Sequence, residues 1–156
     1  MQLAGLSEHL SGRVVIVGVG NPMKGDDGFG PAMIERLQDR VQASLFDCGT
    51  VPENFLGPIR EEQPQTVLVL DAADFSERPG AIGVFDSSEW RGGGFSSHSL
   101  SLKLFADLIS QDTGASVYLV AVQPKRLGFG EQMSPEVREG CRRLQRWLED
   151  ALSAHS

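Results

Sequence analysis

The chain has 156 residues, the size of one domain. Its 21 acidic against 14 basic residues leave a net charge of −7, which argues against a broad basic surface that grips nucleic acid. Hydrophobic residues at 40%, charged residues at 22% and a mean hydropathy of −0.15 exclude wholesale disorder.

In chain order, residues 1–12 read as a loosely ordered extension of a single domain spanning 1–156. They carry Glu8 and no basic cluster ahead of an apolar stretch, unlike a signal peptide. Arg13 to Gly20 is a continuous β-branched run that fits a strand buried on both faces. Its apolar core, Val14 to Val19, is interrupted by Gly18 and is far short of the ~20 residues of a membrane-spanning helix. A cytoplasmic protein bound to neither membrane nor nucleic acid is therefore expected. Ile34, Leu37 and Val41 then recur at spacings of three and four, predicting a helix over Gly28 to Val41. Ala43 to Cys48 reads as a second strand. Pro52 to Glu62 resists assignment, because Gly57 and Pro58 break helices.

Thr66 to Asp71 is a third strand and Ala81 to Asp86 a fourth. About nine loop residues join them, too few for a helical crossover, so the fourth strand is expected to run antiparallel to the third. His98 to Ser110 predicts a helix with a wide apolar face through Leu100, Leu104, Phe105, Leu108 and Ile109. Ser116 to Gln123 is a fifth strand, stopped by Pro124. In the last helix Ser134 can cap, Pro135 suits the first helical position and Glu136 favours the dipole. Val137, Cys141, Leu144, Leu148 and Ala151 line its apolar face, and its many charges form a solvated one. Alternating strands and helices imply a three-layer α/β/α domain with a mostly parallel sheet.

The loop from Gly18 to Gly30 joins the first strand to its helix. Met23 stands where a dinucleotide fingerprint needs glycine, and Gly25-Asp26-Asp27 is unlike the end of a phosphate loop. Two carboxylates would repel a phosphate. Either aspartate can cap the helix, worth about 0.5–2 kcal/mol; one cap suffices, so the second is available for other work. Asp71 closes a buried strand at its carboxyl rim, where open α/β sheets bind ligands, although a turn or capping role also accounts for it. Of three histidines, His9 and His155 lie near the ends, leaving His98. At a helix start its imidazole is expected to be neutral and able to bind a metal, with a surface role as the alternative. Asp27, Asp71 and His98 together could form a two-carboxylate, one-imidazole site for a divalent transition metal. Their separations of 44 and 27 positions match no short metal motif. A Cys48–His98 nucleophile pair is the rival arrangement, against structural roles for both Cys48 and Cys141.

The run Gly18-Val-Gly20-Asn21-Pro-Met-Lys-Gly25-Asp26-Asp27-Gly28-Phe-Gly30-Pro31 resembles the first motif of the NiFe-hydrogenase maturation endopeptidases. The resemblance continues through Asp47-Cys-Gly-Thr50, Pro52-Glu53-Asn54, Val69-Leu-Asp71-Ala72, Pro79-Gly80, Ser97-His98 and Val122-Gln123-Pro124, covering nearly all the chain after Gly12. Pro-Glu-Asn and Gln-Pro are similar to the subgroup serving formate-hydrogenlyase-type hydrogenases, hydrogenase 3 among them. The resemblance implies a mixed five-stranded sheet of order 2-1-3-5-4 with strand 4 antiparallel. It implies an endopeptidase that removes the C-terminal extension of the hydrogenase large-subunit precursor after nickel insertion. The family's nickel-contacting positions fall on Asp27, Asp71 and His98, which are then both the catalytic and the metal residues. Nickel would be carried by the substrate, with other divalent metals able to substitute. Gly57-Pro58 departs from a segment more helix-compatible in relatives. The order 2-1-3 places the switch point between strands 1 and 3, so Asp27 and Asp71 would converge on one cleft. A monomer is expected, because no coiled-coil stripe is evident. The alternatives are a metal-dependent hydrolase of similar fold acting on other peptides, or a non-catalytic metal-binding chaperone of the large subunit.

Overall fold

The structure, a computed structural model, describes residues 1–89 and 99–153. Its five strands are β1 (Val14–Gly18), β2 (Ser44–Asp47), β3 (Thr66–Ala72), β4 (Ile82–Asp86) and β5 (Ser116–Val122). They form one sheet of order β2-β1-β3-β5-β4. β1 runs parallel to β2 and β3, and β3 parallel to β5; β4 pairs antiparallel with β5. The short connection from β3 to β4 fixes that reversal, and the order agrees with expectation.

The helices are α1 (Leu3–Leu6), α2 (Phe29–Leu37), α3 (Leu56–Glu61), α4 (Ser99–Thr113) and α5 (Pro135–Ala151). One sheet face, with Ile16, Leu68, Leu70 and Val120, packs on Phe29, Met33 and Leu37 of α2 and on Val137, Cys141, Leu144 and Leu148 of α5. The other, with Val15, Val17, Val67, Val69 and Leu119, packs on Ile59 of α3 and on Leu102, Phe105 and Ile109 of α4. Helices on both faces are the reason β1, β3 and β5 read as unbroken apolar runs.

Four expectations need correction. Residues 1–12 are not a loose extension: α1 and a 3-10 turn over Ser7–His9 fold back, Leu6 is fully buried, and Thr66 Oγ1 donates to the Ser11 carbonyl at 3.3 Å. α2 stops at Leu37 because Asp39 takes φ 62, which no continuing helix allows; Val41 lies beyond the helix, buried in the same core and bridged to Ser153. Pro52 to Glu62 is helical, a 3-10 turn over Pro52–Phe55 leading into α3. Pro58 lies in the first turn of α3, where a missing N–H costs no hydrogen bond. Leu104 of α4 is exposed, because Leu102, Phe105, Ala106 and Ile109 set the buried phase. At α5, Ser134 caps as expected, its Oγ accepting the Val137 N–H at 3.3 Å.

Candidate active site

At the carboxyl edge, backbone bonds continue beyond the strands. Cys48 N–H donates to Gly18 O at 2.9 Å, Gly20 N–H to Gly49 O at 2.8 Å, and Val19 N–H to Leu70 O at 3.0 Å. Glycines let the next segment settle directly onto this edge. A Cβ on Gly30 would lie 2.4 Å from Val19 O and 2.6 Å from Leu70 O. A Cβ on Gly20, at φ +146, would lie 1.9 Å from Asp27 O. The Gly25–Gly28 3-10 turn thereby reaches β3 and carries Asp26 and Asp27 into the interior.

The two adjacent aspartates have separate tasks, and neither caps α2 through its side chain. Asp26 is fully buried. Its Oδ2 accepts the Lys125 N–H at 2.8 Å and the Arg126 N–H at 3.0 Å; its Oδ1 accepts the Ser134 N–H at 2.7 Å. Ser134 Oγ donates to it as well, at 2.9 Å to Oδ2. Asp26 is therefore a clamp between the loop after β1 and the segment between β5 and α5. Asp27 is 4% exposed, and its Oδ2 accepts the Asn21 N–H at 2.8 Å. Asn21 Oδ1 in turn accepts the Met23 N–H at 2.9 Å.

Asp71 is fully buried in β3, beside Ala121 of β5. It follows Leu70, which faces Gly18 in register, so it stands next to the start of the loop that carries Asp27. Asp27 and Asp71 thus flank one β1/β3 junction, the point where strand order reverses. Chain direction in a parallel pair puts both at carboxyl ends. His98 lies outside the described residues, directly before Ser99, the first residue of α4. Among the described residues, no three His, Cys, Asp or Glu side chains cluster to hold a metal.

Cys48 is buried, and desolvation, helped by the charge of Asp47, pushes its thiol up to about 12; burial pushes Cys141 up to about 11. Both remain protonated at neutral pH, so neither supplies the thiolate that a nucleophile or metal ligand requires.

Gln123 is a second buried support that composition and spacing did not single out. Its Oε1 accepts the Phe75 N–H at 2.8 Å and the Glu77 N–H at 3.2 Å, and its amide donates to Asp74 Oδ1 at 3.1 Å. The Ser76 N–H, then the Gln123 amide, hold the Asp74 carboxyl below its ordinary value. Gln123 thereby fixes the loop that leaves Asp71, as Asp26 fixes the loop beside Asp27. Apart from its place in the Val122-Gln123-Pro124 part of the resemblance, the sequence signal for Gln123 is a polar residue between a buried strand and a proline.

A cavity of about 660 Å³ borders the aspartate loop on its α2 side, lined by Pro22, Gly25, Asp47 and Met133 among others. Another, of about 570 Å³, opens at the opposite, amino end of the strands near Arg13, Ser44 and Glu62. It lies far from both carboxylates.

The family model for hydrogenase maturation proteases matches residues 31–151. The hydrogenase 3 maturation protease of Escherichia coli K12 is 30% identical over 138 residues, covering 86% of this chain and 88% of that protein. Among solved structures, the NiFe-hydrogenase maturation protease HycI of Thermococcus kodakarensis KOD1 superposes with a TM-score of 0.87 at 33% identity, covering 95% of this chain and 98% of that one. The endopeptidase HycI of Escherichia coli gives 0.80 at 28% identity, covering 89% and 90%.

Proposed function

The chain belongs to the hydrogenase maturation protease family, and from that membership we propose that it cleaves the C-terminal extension from a nickel-loaded NiFe-hydrogenase large-subunit precursor. The observation that carries the reading is the placement of Asp27 and Asp71 at one β1/β3 junction, both withdrawn from solvent. Two carboxylates with the imidazole of His98 make a donor set suited to a divalent transition metal. Nickel is here part of the substrate, which presents it to Asp27, Asp71 and His98. A metal so placed polarises the scissile carbonyl.

One of the two carboxylates serves as general base. It takes a proton from a water whose oxygen attacks the scissile carbonyl, and the proton passes to the departing amide nitrogen. The Asn21 N–H on Asp27 Oδ2 holds that carboxylate in place. The likeness to the Escherichia coli hydrogenase 3 maturation protease supports a precursor of the hydrogenase 3 type as the substrate.

The test is incubation of purified protein with nickel-loaded and nickel-free precursor, read by intact mass. Shortening of the loaded precursor alone is expected. Asp27→Asn should slow it about 10²–10⁴-fold with the circular dichroism spectrum unchanged. A loaded precursor of undiminished mass overturns the proposal, and near-normal cleavage by Asp27→Asn removes Asp27 from it.

A further inference from the structure

Six large apolar side chains are exposed among the described residues, and three of them, Met23, Leu127 and Phe129, lie on two loops that lock together beside Asp27. Met23 is 69% exposed and Phe129 73%. They are not on slack chain. Gly130 N–H donates to Met23 O at 2.9 Å, Gly25 N–H to Glu131 O at 3.1 Å, and Asp26 N–H to Arg126 O at 2.8 Å. The Glu131 carboxylate closes the Phe129 turn by accepting the Gly128 N–H at 2.9 Å. Lys24 Nζ sits 5.5 Å over the Phe129 ring, a cation–π contact that fixes the ring's attitude. The buried Asp26 carboxylate anchors the base of this frame.

Apolar groups held rigidly in water beside a site are a surface prepared for a partner, since little ordering entropy is lost when they are covered. We propose that Met23 and Phe129 form a docking ridge for an apolar segment of the large-subunit precursor adjoining the scissile bond, an inference that rests on the proteolytic reading above. Continuity with the site identifies the occupant. Met23 is joined to Asp27 through Asn21, whose N–H binds the carboxylate and whose side chain takes the Met23 N–H. A polypeptide held with its bond at Asp27 has to leave the site along one of the flanking loops, and this one offers it apolar contact.

The experiment compares wild type, Met23→Ser/Phe129→Ser and, as a control on the opposite layer, Leu104→Ser. Precursor affinity, KM and kcat are measured on each, together with the sedimentation of the chain alone. The double variant is expected to bind precursor about tenfold more weakly and to show a KM raised by a similar factor, with kcat kept within about twofold. Leu104→Ser should match wild type. Unchanged affinity and KM in the double variant overturn the ridge and leave the proteolytic reading intact. Ridge-dependent binding with no shortening of the precursor by wild type overturns the proteolytic reading and leaves the ridge. Loss of a wild-type dimer in the double variant, at unchanged precursor affinity, assigns the ridge to a second copy of the chain and overturns the proposal.

Discussion

Asp26→Asn preserves the shape of the side chain while removing its charge and half its acceptors. The native carboxylate takes two backbone N–H groups on Oδ2, from Lys125 and Arg126, and one on Oδ1, from Ser134. Asparagine has one oxygen to offer. Turned toward Lys125 and Arg126, it leaves its amino group against the Ser134 N–H; turned the other way, it strands two N–H groups. The first arrangement is the less costly, because the Ser134 hydroxyl can rotate to accept. One stranded buried donor costs about 1–3 kcal/mol, and loss of charge from the two surviving bonds adds about 1 kcal/mol. The expected destabilisation is therefore ~2–4 kcal/mol. With a urea m-value of about 2 kcal/mol/M, the unfolding midpoint should fall by ~1–2 M, followed by far-UV circular dichroism at neutral pH. Amide exchange adds a local reading: Ser134, whose N–H is stranded, should exchange faster relative to the amides of β3. A midpoint shift below about 0.3 M, or uniform acceleration across the sheet, would refute the view that this carboxylate holds the loop.

Gly30→Ala places a methyl group 2.4 Å from Val19 O and 2.6 Å from Leu70 O, both backbone atoms of the sheet edge. The expected cost is about 3 kcal/mol or more, a melting temperature lower by roughly 6–12 °C; a melt within about 2 °C of wild type would show that α2 yields. The buried thiols predict an alkaline loss of stability. In the unfolded chain each ionises near 9.0, whereas folding holds Cys48 to about 12 and Cys141 to about 11. The folded state therefore binds more protons above the lower value, and stability falls as pH rises past it, by about 1.4 kcal/mol per thiol at pH 10. Urea midpoints at pH 8 and 10 should diverge in wild type and diverge less in Cys48→Ala/Cys141→Ala; an equal drop in both would contradict the assignment.

The parts of the fold set by local chemistry were legible. β1, β3 and β5 announce themselves because both faces are buried, β4 reverses because its connection is too short to cross over, and α5 starts where Ser134 and Pro135 require. The parts set by distant partners were not. Composition and spacing do not tell Asp26 from Asp27; the family resemblance pointed to Asp27, and the arrival of Lys125, Arg126 and Ser134, about a hundred residues on, makes Asp26 the clamp. Leu6 seemed to belong to a tail because its burial depends on a core assembled from the rest of the chain. Pro58 misled in the opposite sense, since a proline stops a helix only beyond its first turn. Within the candidate site, the strand-end position of Asp71 could be read from Thr66 to Asp71 alone, whereas the supporting role of Gln123 depends on the β3–β4 loop, which lies 46 to 48 positions earlier in the chain.

The bare backbones at Gly18, Gly20 and Gly30 have a mechanical consequence. With no side chain between α2, the aspartate loop and the sheet edge, that wall has no compressible layer and no room to slide. The edge that holds Asp27 is an anvil rather than a jaw. Accommodation must then come from the other body: the scissile segment of the precursor has to be loose enough to lay itself against a fixed surface. A large subunit whose tail is already tucked away would present nothing to strike against this edge.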